Sequence, residues 1–304
     1  MVPALWACEA LAARSLLRKK NTPSNGNTTN TVTYTRSHAV TLSVHWGKAV
    51  VNGATHAGVA AEGCGYVAAL GDDDVEARAL GTCEGPVRAV RKALKSHPAH
   101  VETQRRGLAA LGGLARRNPA LVAKKGGALL AVDAITRHGE NSRIVEHAFK
   151  VLALVAQEDA YAVRDACPGA AWLMTLAPAA ADHADSRTVR TAFAGVAASV
   201  ATDAEVLDVV AELQAVAAVV TTGRDHLVLE RLPAAAAAAA ALGFCAETRC
   251  KLREAAASLV HVLTAVAGDA RVDASTVRNL VTALAALEHD GFAQPAFYDD
   301  ALRA

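Results

Sequence analysis

The chain has 304 residues, of which 52% are hydrophobic and only 4% aromatic, and its formal net charge is +1 at pH 7. An interior this poor in rings must be built from Ala, Leu and Val, which suits closely packed helices better than a strand-rich or cofactor-binding fold. No apolar run reaches the ~18 to 20 residues of a membrane span, and the six cysteines form no Cys-x-x-Cys pair, so zinc and haem-attachment spacings are absent.

The first segment, residues 1–20, is Ala- and Leu-rich, with Arg14, Arg18, Lys19 and Lys20 placed after its apolar stretch. That order argues against a secretory signal. Free thiols and a cytoplasmic location are the expectation, with organelle targeting through this segment as the alternative. Residues 21–31 are polar and turn-forming, and residues 32–46 alternate loosely, as a lone strand would. Residues 1–46 are therefore expected to be flexible or weakly ordered, and residues 47–73 to form a degenerate helical cap.

From residue 74 onward the chain becomes periodic. Gly85, Gly127 and Gly169 stand 42 residues apart, each between a short helical run and a second helix. The best unit is 118–157: a short helix at 119–125, a Gly126-Gly127 turn, a second helix at 128–137 and a third at 142–156. In the third, Ile144, Ala148, Val151, Leu152 and Val155 form one apolar stripe. The expected ends of the third helices, Leu114-Ala115, Val155-Ala156, Val200-Ala201, Cys245-Ala246 and Leu287-Glu288, keep this phase with small insertions. Pro233 falls where the fourth of them should begin, since the first helical turn tolerates proline. Self-similarity at this period predicts an all-α chain built as an α-solenoid, each repeat burying its apolar face against its neighbours. Units are expected at 74–117, 118–157, 158–202, 203–246 and 247–290, followed by an incomplete helix in 291–304.

The unit NPALVAKKGGALLAVDAITRHGENSRIVEHAFKVLALVAQ, with three helices, a glycine before the second and an Ala/Leu-rich third, resembles armadillo repeats. HEAT repeats, with two helices per unit, are the nearest rival. The resemblance implies a right-handed superhelix of about five three-helix repeats whose third helices line a concave groove. In the catenin and importin-alpha branches that groove presents an Asn, often with a Trp one turn earlier, to an extended peptide. Here the Asn positions hold Gly113, Leu154, Ser199, Phe244 and Ala286, and the Trp positions hold Ala109, Lys150, Gly195, Ala240 and Thr282, so importin-like peptide reading is not expected.

Charge is distributed unevenly. Residues 86–150 carry thirteen Lys and Arg against four Asp and Glu, whereas residues 151–304 carry eleven against nineteen. Mapping the family's groove rows onto this chain brings Arg106, Arg143, His147 and Lys150 onto neighbouring third helices, while later repeats offer Ala192, Gly195, Ala237 and Ala240. His97 and His138 recur at the ends of second helices, where a polar side chain suits the helix C-terminus. Asp72, Asp73 and Asp74 lack the alternating ligands of a calcium loop. No nucleophile elbow, phosphate-cradling loop or dinucleotide fingerprint occurs.

The expectation is a non-enzymatic protein-protein interaction scaffold without cofactor or metal, whose groove meets an acidic protein partner at the basic end. Nucleic-acid or anionic-surface binding through residues 86–150 is the alternative. Self-association through the carboxyl end is also expected, because the last helices have little visible cover.

Overall fold

The computed structural model describes residues 56–71, 84–167, 171–222, 226–267 and 272–288. The expectations for residues 1–46, for Asp72 to Asp74, for Gly169 and for 291–304 lie outside these. Among the described residues the chain is all-helical, with fourteen α-helices and no strand.

In chain order these are α1 (Ala57–Gly71), α2 (Glu84–Ser96), α3 (Val101–Ala115), α4 (Pro119–Lys124), α5 (Gly127–His138), α6 (Ser142–Glu158) and α7 (Ala160–Ala166). There follow α8 (Trp172–Asp182), α9 (Arg187–Val200), α10 (Asp203–Thr222), α11 (His226–Leu242), α12 (Ala246–Leu252), α13 (Ala256–Val266) and α14 (Ala274–Glu288), with one 3-10 turn, Arg253–Ala255, before α13.

The unit with the strongest signals folds within two residues of its expected bounds, because each boundary is chemically marked. Asn118 caps α4 by accepting from Leu121 N at 3.0 Å, with Pro119 in the first turn, and Asn141 caps α6 by accepting from Ile144 N at 3.2 Å. The two glycines between α4 and α5 divide the work. Gly126 holds φ at +75°, a left-handed conformation that costs glycine nothing. Gly127 has no positive φ; it is needed because a Cβ there would lie 2.3 Å from Val122 Cγ1 and 2.9 Å from Val122 O. The strained position is thus Gly126, one residue before the periodic glycine, and Gly85 lies inside α2 with open space around it.

Helix α1 packs along α3, α3 along α6, and α6 along α9. At the first of these contacts Gly71 and Gly113 approach so closely that a Cβ on either would meet the other's Cα at 3.2 Å. Two histidines bind this series from behind. His138, ending α5, places Nε2 2.8 Å from Pro98 O, and His183, after α8, places Nε2 2.6 Å from Gly139 O. A carbonyl only accepts, so both nitrogens carry a proton. Each ring thereby ties the end of its helix to a turn 40 or 44 residues earlier in the chain. His97, at the first position of this series, keeps Nε2 buried without a hydrogen-bond partner among the described residues.

The fourth unit departs from expectation. Residues 203–222 form one continuous helix, since Asp203 to Thr222 contains no Gly or Pro to break it, so two helices occupy the place of three. Helix α11 begins at His226 and runs through Pro233, which is not its first turn, and ends at Leu242, short of Cys245. Gly243 ends it against α14, where a Cβ would lie 2.8 Å from Ala286 Cβ. Helix α11 lies mainly along α8 and α14 and touches α9 only lightly. Ala235 to Leu242 are all buried, so the second half of this helix is apolar all round. The core thickens at this end into a cluster of rings in which Phe193 meets Phe149 at 5.9 Å, Trp172 at 6.1 Å and Phe244 at 6.4 Å between centroids.

Candidate functional site

Helix α6 buries Ile144, Val145, Ala148, Phe149, Val151, Leu152 and Val155, which turns Arg143, His147 and Lys150 to one outer face at steps of four and three residues. Arg143 and Lys150 are exposed, and among the described residues neither forms an ion pair. His147 between them is half-buried and makes no hydrogen bond among the described residues.

The arginine that α3 contributes to this group is Arg105 as much as the expected Arg106. Arg105 donates from Nε and Nη2 to the two oxygens of Glu102, at 2.8 and 2.7 Å, and it is close enough to His147 to act on its ring. Arg106 points toward α1. It pairs with Glu62 at 2.7 Å through Nη1 and with Glu102 through Nε, and Gly65 on α1 leaves room for its guanidinium. Two carboxylates therefore already match its charge. The Arg105 guanidinium, followed by that of Arg106, holds the Glu102 carboxyl down at about 2.

Burial pushes the His147 ring below its ordinary 6.5, and the charges of Lys150, Arg105 and Arg143 push the same way against Glu146. Glu146 is itself engaged: it accepts from Ser186 Oγ at 2.6 Å, and Ser186 caps α9. The face formed by α3 and α6 thus carries an excess of unmatched cations around a neutral imidazole. Such a face can receive an anion.

The groove positions expected in later units do not form an open surface. Ala192, Ala237 and Ala240 are buried, the last two because α11 is enclosed by α8 and α14. Positions matching the family's Asn are also spent: Gly113 packs on Gly71, Ser199 Oγ donates to Gly195 O at 3.1 Å, and Phe244 belongs to the ring cluster.

A concavity of about 610 Å³ opens between α8, α10 and α11, lined by the apolar Leu173, Met174, Val209 and Ala235 and by the carboxylates Asp208 and Glu212. Glu212 pairs with Arg231 at 3.5 Å. Nearby, Glu205 joins three helices by accepting from Arg164 Nη2 of α7 at 2.8 Å, Trp172 Nε1 of α8 at 3.1 Å and Thr202 N at 2.8 Å. Burial raises the Glu205 carboxyl, but Thr202, Arg164 and Trp172 outweigh it and hold it below its ordinary value. The Thr202-x-x-Glu205 spacing is the capping-box signal that would have located this residue in the sequence.

Among the described residues no group of three His, Cys, Asp or Glu converges as metal ligands, and no helix is long and apolar enough to cross a membrane. Burial pushes the Cys64 thiol up to about 12 and the Cys167 thiol to about 11, whereas Cys250 is exposed. Only the thiolate reacts. Iodoacetamide at neutral pH should therefore label Cys250 within minutes and spare Cys64 and Cys167 until the protein unfolds, as read by peptide mapping. Equal labelling of Cys64 and Cys250 in the native protein would contradict the packing of α1 on α3.

A scan against protein-family models finds no match to this chain, and no curated protein is significantly similar to it.

Proposed function

We propose that the chain is a non-enzymatic interaction scaffold, an armadillo-like solenoid whose basic end docks an acidic segment of a protein partner. The observation that carries this reading is the excess of cations on the α3 and α6 face, where Arg143 and Lys150 have no carboxylate partner among the described residues, beside Arg105 and His147. The period of the units, the packing of α1, α3, α6 and α9 in series and the histidine ties between successive turns support the repeat part of the reading. Docking on such a face is driven by complementary charge and fast encounter more than by buried aromatic anchors.

A fluorescent deca-aspartate peptide tests the reading. The full chain should bind it with an affinity that falls steeply from about 0.05 M to about 0.5 M salt. Each exposed charge is worth about 1 kcal/mol or less. The pair Arg143→Glu with Lys150→Glu should then cost roughly tenfold in affinity at low salt while leaving helical content intact. Arg106→Gln should cost less, because its charge is already matched by Glu62 and Glu102. Unchanged affinity in the double variant would defeat the site. Tighter binding to an oligothymidylate of equal charge, with a linear salt dependence on logarithmic axes, would move the reading to nucleic acid.

A further inference from the structure

We infer that His147 takes up a proton when an anion docks on the α3 and α6 face, so that acidification tightens the interaction; this rests on the anion-docking role proposed above.

The geometry supplies the coupling. His147 stands one turn from both Arg143 and Lys150 on α6, and Arg105 reaches it from α3, the helix packed alongside. Glu146 is the carboxylate of α6 that opposes these cations, and it is tied to Ser186 at the start of α9. Glu102 is committed to Arg105 and Arg106. In the empty site a protonated imidazole would therefore be half-buried beside the unpaired charges of Arg143 and Lys150, with the Glu102-paired Arg105 adding to them and no acceptor bonded to the ring among the described residues. That is an unfavourable place for a fourth positive charge.

An incoming carboxylate or phosphate changes the sign of that balance. It neutralises the field of Arg143, Lys150 and Arg105 and brings oxygen acceptors to a ring whose nitrogens have no hydrogen-bond partner among the described residues. The imidazolium then becomes the better-bound state. By linkage, a group that binds its proton more tightly in the complex draws the complex together as pH falls. Affinity gains about tenfold for every unit by which the ring's pKa in the complex exceeds its value in the free protein. The gain begins as pH drops through the bound value and is complete below the free value, which lies under 6.5. Histidine is the one side chain whose charge changes in this range without a large perturbation.

The same face would consequently act as a conditional dock, weak in neutral surroundings and stronger in mildly acidic ones. Arg143 and Lys150 supply attraction at every pH, and His147 supplies the dependence on pH.

The test uses the full chain and the deca-aspartate probe, whose carboxylates stay ionised above about pH 5.5. Affinity is measured by anisotropy from about pH 8 to about pH 5.5 at constant low ionic strength, for the wild type and for His147→Gln, which keeps a polar side chain of similar size. Calorimetry in two buffers of different ionisation enthalpy counts the protons taken up. The expected result is severalfold tighter binding at the acid end, net proton uptake on binding, and an upward shift of the His147 ring titration by NMR when the probe is added. His147→Gln should bind with a nearly flat pH profile. A flat wild-type profile, or a wild-type slope that persists in His147→Gln, overturns the proton coupling and leaves the docking face standing. Absence of probe binding at any pH, or binding indifferent to the Arg143→Glu and Lys150→Glu pair, overturns the face and the coupling together.

Discussion

Replacing Phe193 with Ala is expected to cost about 3 to 5 kcal/mol, the range for emptying a ring-sized site in a core that cannot fully collapse. The ring is fully buried and is the common member of three aromatic contacts, with Phe149 of α6, Trp172 of α8 and Phe244 beyond α11. Alanine removes all three at once and leaves the neighbours without a partner to close upon, because the adjoining residues Val189, Val196 and Ala197 are already packed. Loss at this contact would loosen α9 from α6, α8 and the turn after α11 together. The measurement is urea unfolding followed by circular dichroism and Trp fluorescence. Both probes should show an earlier midpoint, and a broadened or two-step transition would locate the break between α6 and α11. Phe193→Leu should recover most of the loss. An unchanged midpoint in Phe193→Ala would mean that the ring cluster contributes no cohesion.

Glu205→Ala is expected to cost about 2 to 3 kcal/mol near neutral pH, more than a surface ion pair would. One carboxylate caps α10, satisfies the indole N–H of the buried Trp172 and holds Arg164, which also donates to Val200 O at 2.6 Å. Removing it strands donors from α7, from α8 and from the turn that precedes α10. The sign of the pH dependence follows from a folded pKa held below the ordinary 4.5. The contribution is fully present above that ordinary value and is lost as pH falls through the lower folded value. The stability gap between wild type and Glu205→Ala should therefore be constant from neutrality to mild acid and shrink below about pH 4.5. Glu205→Gln separates charge from cap geometry: it retains an acceptor for Trp172 while losing the attraction for Arg164. A gap that widens on acidification would reverse the assignment.

How far the chain could be read in advance depended on punctuation. Asn118, Gly126 and Asn141 mark three boundaries with polar or glycine chemistry, and the helices between them fall where expected. Residues 203–242 carry almost no such marks, so the period alone placed a junction inside α10 and a start at Pro233, and the unbroken helices override both. The same contrast holds at the site. Helical steps suffice to put Arg143, His147 and Lys150 on one face. Whether Arg105 or Arg106 joins them depends on Glu62, more than forty residues away, and on the gap that Gly65 leaves for a guanidinium. Neither is visible in local pattern. Glu146 was missed for the same reason, since its partner Ser186 comes from another helix; Glu205 carried a local capping-box spacing to Thr202, but its bonds to Arg164 and Trp172 also come from other helices.

The run of alanines in α11 has a consequence for how this chain can change over generations. Ala234 to Ala241 is a homopolymeric stretch whose side chains are interchangeable, so nothing within it records position along the helix. Register is kept from outside, by Leu232 before it and by Leu242 and Gly243 after it, where Gly243 fits against Ala286. Insertion or loss of a single alanine would leave the run itself looking unaltered, yet would turn everything beyond it by about 100° and shift it by about 1.5 Å. Gly243 would swing away from α14 and a side chain would arrive in its place. The most uniform stretch of the protein is therefore the one in which a change of length, more than a change of composition, would unseat Gly243 from α14.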